Sequence, residues 1–223
     1  MRHMKSYLRI LAPLAVLSGF AAPALAQVYP SPSYQYPTAR PVQWFVDGGA
    51  SITEGPTADD FDNGWTIGTG LIFRQDPHQP FAMRLEVNYS RSEATSSFIN
   101  QNQAATGVPI DDGSMQTVTG YLDGMLEAPI TPRVRMYATA GAGLGYRRIE
   151  LTQNGFVCDP FFCGGYGHGL VASDDTTHFA WNAGAGVNFM LPYGQSWFIE
   201  ARYERIETQT PTEFIPIRFG FRF

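Results

Sequence analysis

Asp47, Arg74, Arg84, Glu86, Asp123, Glu127, Arg135, Arg147, Glu200, Arg202, Glu204, Arg218 and Arg222 are spaced at mostly even intervals within segments of alternating polarity. If those segments are strands, the thirteen side chains share one face, seven positive and six negative. Arginines interleaved with carboxylates can form bidentate ion pairs, because the planar guanidinium fork matches the carboxylate oxygens. Such a set could line a charge-selective pore or interlock as a polar plug. The narrowness of the architecture reached below favours the plug. A second cluster holds His168, Ser173 and His178 beside Asp174 and Asp175. A hydrolase needs a nucleophile held by a base, but this spacing fits no motif of lipid-modifying or peptide-cleaving enzymes. His178 serves equally as an inward residue at a strand end, so no catalytic residue is assigned.

Cys158 and Cys163 stand in CDPFFCGGYGHG. In an exported chain two cysteines at this separation suggest a disulfide that pins a loop tip. Free thiols and a metal site with His168 are the alternatives. The metal reading lacks a second cysteine pair or a C-x-x-C spacing. The string ADDFDNG has the look of a calcium loop but lacks its terminal glutamate, and no metal or other cofactor is expected.

Composition narrows the setting. The chain has 223 residues, 44% hydrophobic, 14% aromatic and 16% charged, against about 25% charged in ordinary soluble domains. Arg2, Lys5 and Arg9 account for three of the 15 basic residues, leaving 12 arginines against 20 acidic residues beyond position 26. A balance this acidic offers no general attraction to phosphate backbones, so no nucleic-acid partner is expected. The three early basic residues precede an apolar run from Ile10 to Ala22 and then Ala24-Leu25-Ala26. This is the pattern of a cleaved export signal over 1–26. The run contains Pro13 and Gly19 and is too short for a spanning helix, which needs roughly 20 residues. Residues 27–41, rich in proline and tyrosine, form an extended periplasmic lead-in without periodicity.

From Val42 onward the sequence alternates with period two, the mark of strands with unlike faces. Eight are expected: Val42–Ile52, Trp65–Arg74, Phe81–Arg91, Met115–Glu127, Arg133–Leu151, Thr177–Met190, Trp197–Ile206 and Ile215–Phe223. Long connections at 53–64, 92–114 and 152–176 alternate with short ones at 75–80, 128–132 and 191–196. The fold class is therefore all-β, an eight-stranded antiparallel up-and-down transmembrane β-barrel spanning 42–223. A soluble barrel with the apolar face inward is the rival. It would have to enclose Trp44, Trp65, Trp181 and Trp197 while placing glycines 68, 70, 141, 143, 145, 184, 186 and 220 toward water, where nothing favours losing a side chain. Inside out, the glycines make room in a narrow lumen. Trp44, Trp65, Tyr89, Tyr146, Trp181, Phe189, Trp197, Tyr203, Phe219 and Phe223 then become the girdles at the two membrane borders. Closure removes every free edge, which hydrocarbon requires.

ATAGAGLGY (138–146), AWNAGAGVNF (180–189), FIEARYERIET (198–208) and FIPIRFGFRF (214–223) resemble the OmpA-like and OmpX-like outer-membrane β-barrels of Gram-negative bacteria. The resemblance covers nearly the whole chain after the signal and rests on pattern, since no single motif is diagnostic. It implies residence in the cell outer membrane as a monomer, among outer-membrane lipid and lipopolysaccharide. It also implies insertion by the barrel-assembly machinery, which reads a final strand ending in an aromatic residue such as Phe223. Gly220 departs from the usual assembly-signal spacing, and the periplasmic peptidoglycan-binding domain of OmpA is not expected here. The role implied is structural or surface-exposed: membrane integrity, adhesion or resistance. The alternatives are a narrow small-solute channel and a lipid-modifying enzyme. The long loops carry Glu54, Asp59, Asp60, Asp62, Glu93, Asp111, Asp112, Asp159, Asp174, Asp175, Glu207 and Glu213. Their carboxylates suit either solubility or the recruitment of divalent cations.

Overall fold

The structure, a computed structural model, describes residues 41–76, 79–159, 162–191 and 194–223, with the backbone alone over 154–169. The expected signal at 1–26 and the lead-in up to residue 40 lie outside the described residues.

Alternating polarity makes strands because successive side chains leave the backbone on opposite sides. Eight form in chain order: β1 (Val42–Glu54), β2 (Gly64–Phe73), β3 (Phe81–Glu93), β4 (Asp112–Pro129), β5 (Val134–Asp159), β6 (Phe162–Met190), β7 (Ser196–Ile206) and β8 (Thr212–Arg222). Each pairs antiparallel with its neighbour in sequence, and β1 pairs with β8 to close the barrel. The seam is sealed at one end by two bonds, from Trp44 N–H to the Phe223 carbonyl (3.1 Å) and from Phe223 N–H to the Trp44 carbonyl (2.9 Å).

The alternation points outward with its apolar half. Ile67 is 55% exposed, Val87 53%, Leu122 52%, Leu144 62% and Phe219 52%, while the charged residues Arg84, Glu86, Arg202 and Glu204 are no more than 1% exposed. A chain that shows leucine and hides arginine has its solvents reversed, as hydrocarbon outside and polar packing inside demand. Aromatic rings gather toward both ends of this apolar wall. At the loop end Trp65 lies against Tyr89 and Trp181 against Tyr203, each pair with centroids 5.4 Å apart. At the turn end Trp197 contacts Phe219 (4.9 Å) and Phe221 (4.7 Å). The polar atoms of the loop-end rings are engaged, Trp181 Nε1 donating to Glu207 Oε1 (3.1 Å) and the Tyr89 hydroxyl to Gln116 Oε1 (3.2 Å). That is how an amphipathic ring sits at an interface. The indole bond, together with Arg205, holds the Glu207 carboxyl below its usual range. From Trp65 to Phe73 β2 has nine residues, within the roughly 9–11 that a tilted transmembrane strand needs.

Two features at the loop end differ from the sequence expectation. The connections at 53–64 and 92–114 contain a short helix, α1 (Thr57–Asp60), and a longer one, α2 (Ser96–Thr106). Thr95 caps α2 by accepting from Phe98 N–H (3.3 Å), and Gly107 ends it at φ 69°, where only glycine turns left without penalty. Backbone bonds knit these loops, from Asp62 N–H to the Glu93 carbonyl (2.9 Å) and from Thr95 N–H to the Asp60 carbonyl (2.9 Å). The second difference is larger. The stretch 152–176 is not a loop, because β5 and β6 continue through it as a paired hairpin to Asp159 and Phe162. β4 follows β5 only to Thr152, and β7 joins β6 only at Ala180. From Thr152 to Asp159 the hairpin therefore extends past β4 by about 23 Å of strand at ~3.3 Å per residue.

Leu122 stands outward midway along β4. Leu122→Arg should lower the unfolding free energy in lipid vesicles by about 2–4 kcal/mol, read by denaturant titration. Loss below about 1 kcal/mol would mean that this wall does not face hydrocarbon.

Candidate functional site: a layered lumen

The inward face is built in layers. Nearest the turn end, Arg74 donates to Glu127 Oε2 (2.6 Å), and Arg135 and Arg222 approach the same carboxylate at 3.6 Å. Asn188 donates to its other oxygen (3.1 Å). Three guanidiniums thus converge on one carboxylate, and the remaining charge of Arg222 is met by rings. Its guanidinium carbon lies 4.7 Å from the Tyr137 centroid and 4.8 Å from that of Phe198, where ring quadrupoles attract a cation.

Above this comes a greasy layer of Phe45, Ile72, Ala82, Met125, Tyr137 and Phe198, all buried inside the lumen. Sequence reasoning gives these residues no role, because they share the charged face and alternation alone says nothing of size. The signal is in the facing glycines. A Cβ at Gly220 would strike the Phe198 ring, one at Gly186 the Tyr137 ring, and one at Gly70 would lie 2.7 Å from two carbons of Phe45.

The middle layer is an ionic lattice. Arg84 bonds Asp123 (2.9 Å) and Glu200 (2.8 Å) and lies 3.1 Å from Glu86. Arg202 makes a bidentate pair with Glu86, the Nη2 to Oε2 bond measuring 3.0 Å, and also pairs with Glu200. Arg218 pairs with Glu204, donates to Asn88 (3.1 Å) and approaches Asp47 at 4.0 Å. Asn88 and Asn182 donate to Glu86 and Asp123, each at 2.8 Å. Side chains of β1, β3, β4, β5, β6, β7 and β8 meet here, β5 through Thr139, which accepts from Arg84 (3.4 Å), whereas β2 contributes space: a Cβ at Gly68 would collide with Asn88 and Asp47.

A second apolar layer of Tyr121, Ala180, Ile206 and Phe214 follows. Beyond it Ser51, Thr53, Ser90, Ser92 and Thr117 stand with Met115 and Phe214 toward the loop end, packed too closely to leave room for water. Arg147 lies near that mouth, reaching Thr212 (3.1 Å) and Asp174 (3.6 Å). All thirteen charged residues named from the sequence lie on the inner face, in two groups rather than one, with Arg147 apart at the mouth. The turn-end group is rich in arginine, and the middle group sets five carboxylates against three guanidiniums.

The ten expected girdle residues are outward and exposed or half-exposed. Ser173 and His178 of the hydrolase-like cluster are not brought together. Ser173 stands opposite Glu150 and His178 opposite Gly145, which puts them on opposite faces of β6. His168, Cys158 and Cys163 have side chains outside the described residues, although the backbone sets the two cysteines directly across the hairpin from each other. Among the described residues no group of three or more His, Cys, Asp or Glu is placed to hold a metal ion, and Asp59, Asp60 and Asp62 form no such group.

The sequence matches the family described as "Outer membrane protein beta-barrel domain" over residues 12–223. The chain belongs to that family. No curated protein matches it. Among solved structures it is similar to Neisserial surface protein A, at 13% identity and a TM-score of 0.51, over 82% of this chain and 96% of that one. It is also similar to a major outer membrane protein from Thermus thermophilus, at 14% identity and a TM-score of 0.52, over 82% and 99%. At such identities the likeness is one of fold, and that shared fold is the closed eight-stranded barrel of the outer membrane.

Arg202, like Arg84, faces three carboxylates, Glu86, Asp123 and Glu200. Arg202→Met should cost about 3–5 kcal/mol of stability, since it removes the bidentate partner of Glu86 and leaves the five buried carboxylates of the middle layer with two guanidiniums. Equilibrium unfolding in bilayers measures this, and a cost within about 1 kcal/mol would show that the lattice carries little of the barrel's stability.

Proposed function

We propose that this outer-membrane barrel is a non-conducting protein with a structural and surface-exposed role. On this reading it is exported by cleavage of its signal, inserted by the barrel-assembly machinery, and stands as a monomer among outer-membrane lipid and lipopolysaccharide, without cofactor or catalytic activity. The observation that carries the reading is the burial of the middle lattice. Arg84, Glu86, Arg202 and Glu200 are each 1% exposed, whereas a water-filled passage would wet them. Charges this deep hold one another in place because separating any pair leaves an uncompensated ion. The apolar layers on either side add a second obstacle to hydrated ions.

The surface-exposed part of the reading is supported by the hairpin of β5 and β6, which continues past its neighbours, and by the acidic loop end. Toward the tip beyond Phe179, whose carbonyl accepts from Glu207 N–H (2.9 Å), β6 has β5 as its only strand partner among the described residues, so its other edge presents backbone donors and acceptors to no strand. An edge of this kind is where a foreign chain could add a strand. Adhesion or resistance would reside there rather than in the lumen.

Planar-bilayer recording of the purified barrel tests the closed state. No steady conductance is expected from the native protein. A steady open state of the native protein would instead establish the narrow channel.

A further inference from the structure

The lumen uses most of the arginines, but three others stand outward just past the loop-end aromatic band: Arg91, Arg148 and Arg205. Arg148 is neutralised by Glu150 at 2.7 Å, and Arg205 by Glu207 and Glu213, each at 2.9 Å. Arg91 is exposed and has no carboxylate partner among the described residues. Its position is fixed by register, between Trp65 of β2 and Gln116 of β4. It borders a cleft of about 250 Å³ whose other walls are Asp112, Gly113, Ser114, Glu150 and Thr152. The Gln116 amide is committed on both sides, accepting from the Tyr89 hydroxyl (3.2 Å) and donating to Glu150 (3.1 Å). Among the described residues, Arg91 is thus the one cation of this belt left without a counter-charge.

Depth decides what supplies it. Arg91 is two residues beyond the outward Tyr89, about 7 Å along the strand at ~3.3 Å per residue, which places it at headgroup level. Directly below, Ile67, Val87 and Val118 are 55%, 53% and 41% exposed and offer an apolar wall for acyl chains. A guanidinium at this border reaches toward the headgroups and pairs best with an oxyanion such as phosphate. Asp112 and Glu150 on the far wall oppose any anion, so a phosphate is held here by the acyl chains that its lipid lays along the apolar wall, a contribution a free phosphate lacks. We propose that Arg91 and the cleft it borders bind the phosphate of a lipid headgroup. This site lies on the outer wall, so it stands or falls independently of whether the lumen conducts.

The test is native mass spectrometry of the detergent-purified, folded barrel incubated with bisphosphorylated lipid A, with dephosphorylated lipid A, and with inorganic phosphate. Retention of the phosphorylated lipid alone is expected. Arg91→Gln should reduce the retained fraction about tenfold, the scale of one charge-assisted bond. Arg205→Gln, which removes an already neutralised cation, should leave it unchanged. Both changes are at exposed or half-exposed positions, and an unaltered heat-modifiable gel shift confirms folding. Equal retention by the native protein and Arg91→Gln, equal retention of the dephosphorylated lipid, or displacement of the lipid by inorganic phosphate would each overturn the proposal.

Discussion

The governing constraint is that a backbone crossing hydrocarbon has no water to satisfy its amides, so every strand must find a partner on both sides. In this chain that requirement fixes the ring of eight ladders, and the ring in turn fixes which side chains are inside. Once the sheet closes, alternate residues have no choice but to face a space barely wider than themselves. Arginines and carboxylates placed there must pair, because a one-residue slip would deliver the whole set to lipid. Register, ion pairing and membrane residence are therefore one property seen at three scales.

The lumen shows how that space is shared. Where a long cation lies, the opposing position is small, as with Gly184 opposite Arg202; where a ring lies, the opposing position is a glycine, as with Gly220 beneath Phe198. The arginines also differ in how they are neutralised. Arg202 is met by carboxylates in the middle layer, whereas Arg222 rests between Tyr137 and Phe198. Ionic and aromatic layers alternate along the axis, so loosening one pair does not by itself join the water on the two sides.

The barrel is legible in the sequence because membrane and lumen impose opposite polarities on the two faces of each strand. Val87, Tyr89 and Leu85 against Glu86, Asn88 and Arg84 could hardly be arranged otherwise. The same reasoning explains where legibility ends. Past Thr152 and before Phe179 β5 and β6 run beyond β4 and β7, so the closed barrel no longer enforces alternation, and glycine with polar residues in the sequence conceals a ladder that the backbone nevertheless makes. Helix α2 is hidden for a related reason: SSFINQNQAAT buries none of its residues and carries no apolar stripe, leaving Thr95 and Gly107 as the only local signs. The outward Arg91 escapes notice because its strand neighbours assign it to a border rather than to either face's business.

Seven of the eight ladders join segments adjacent along the chain and can form as local hairpins. The eighth joins Trp44 to Phe223 and can exist only after everything between them has been placed. Its conformational entropy cost grows with the intervening length, if only logarithmically, and until it is met the first and last strands each expose a row of bare amides. The molecule therefore has a single zipper whose two halves are made at opposite ends of synthesis, and an unzipped intermediate cannot rest in lipid without a surrogate edge lent by something else.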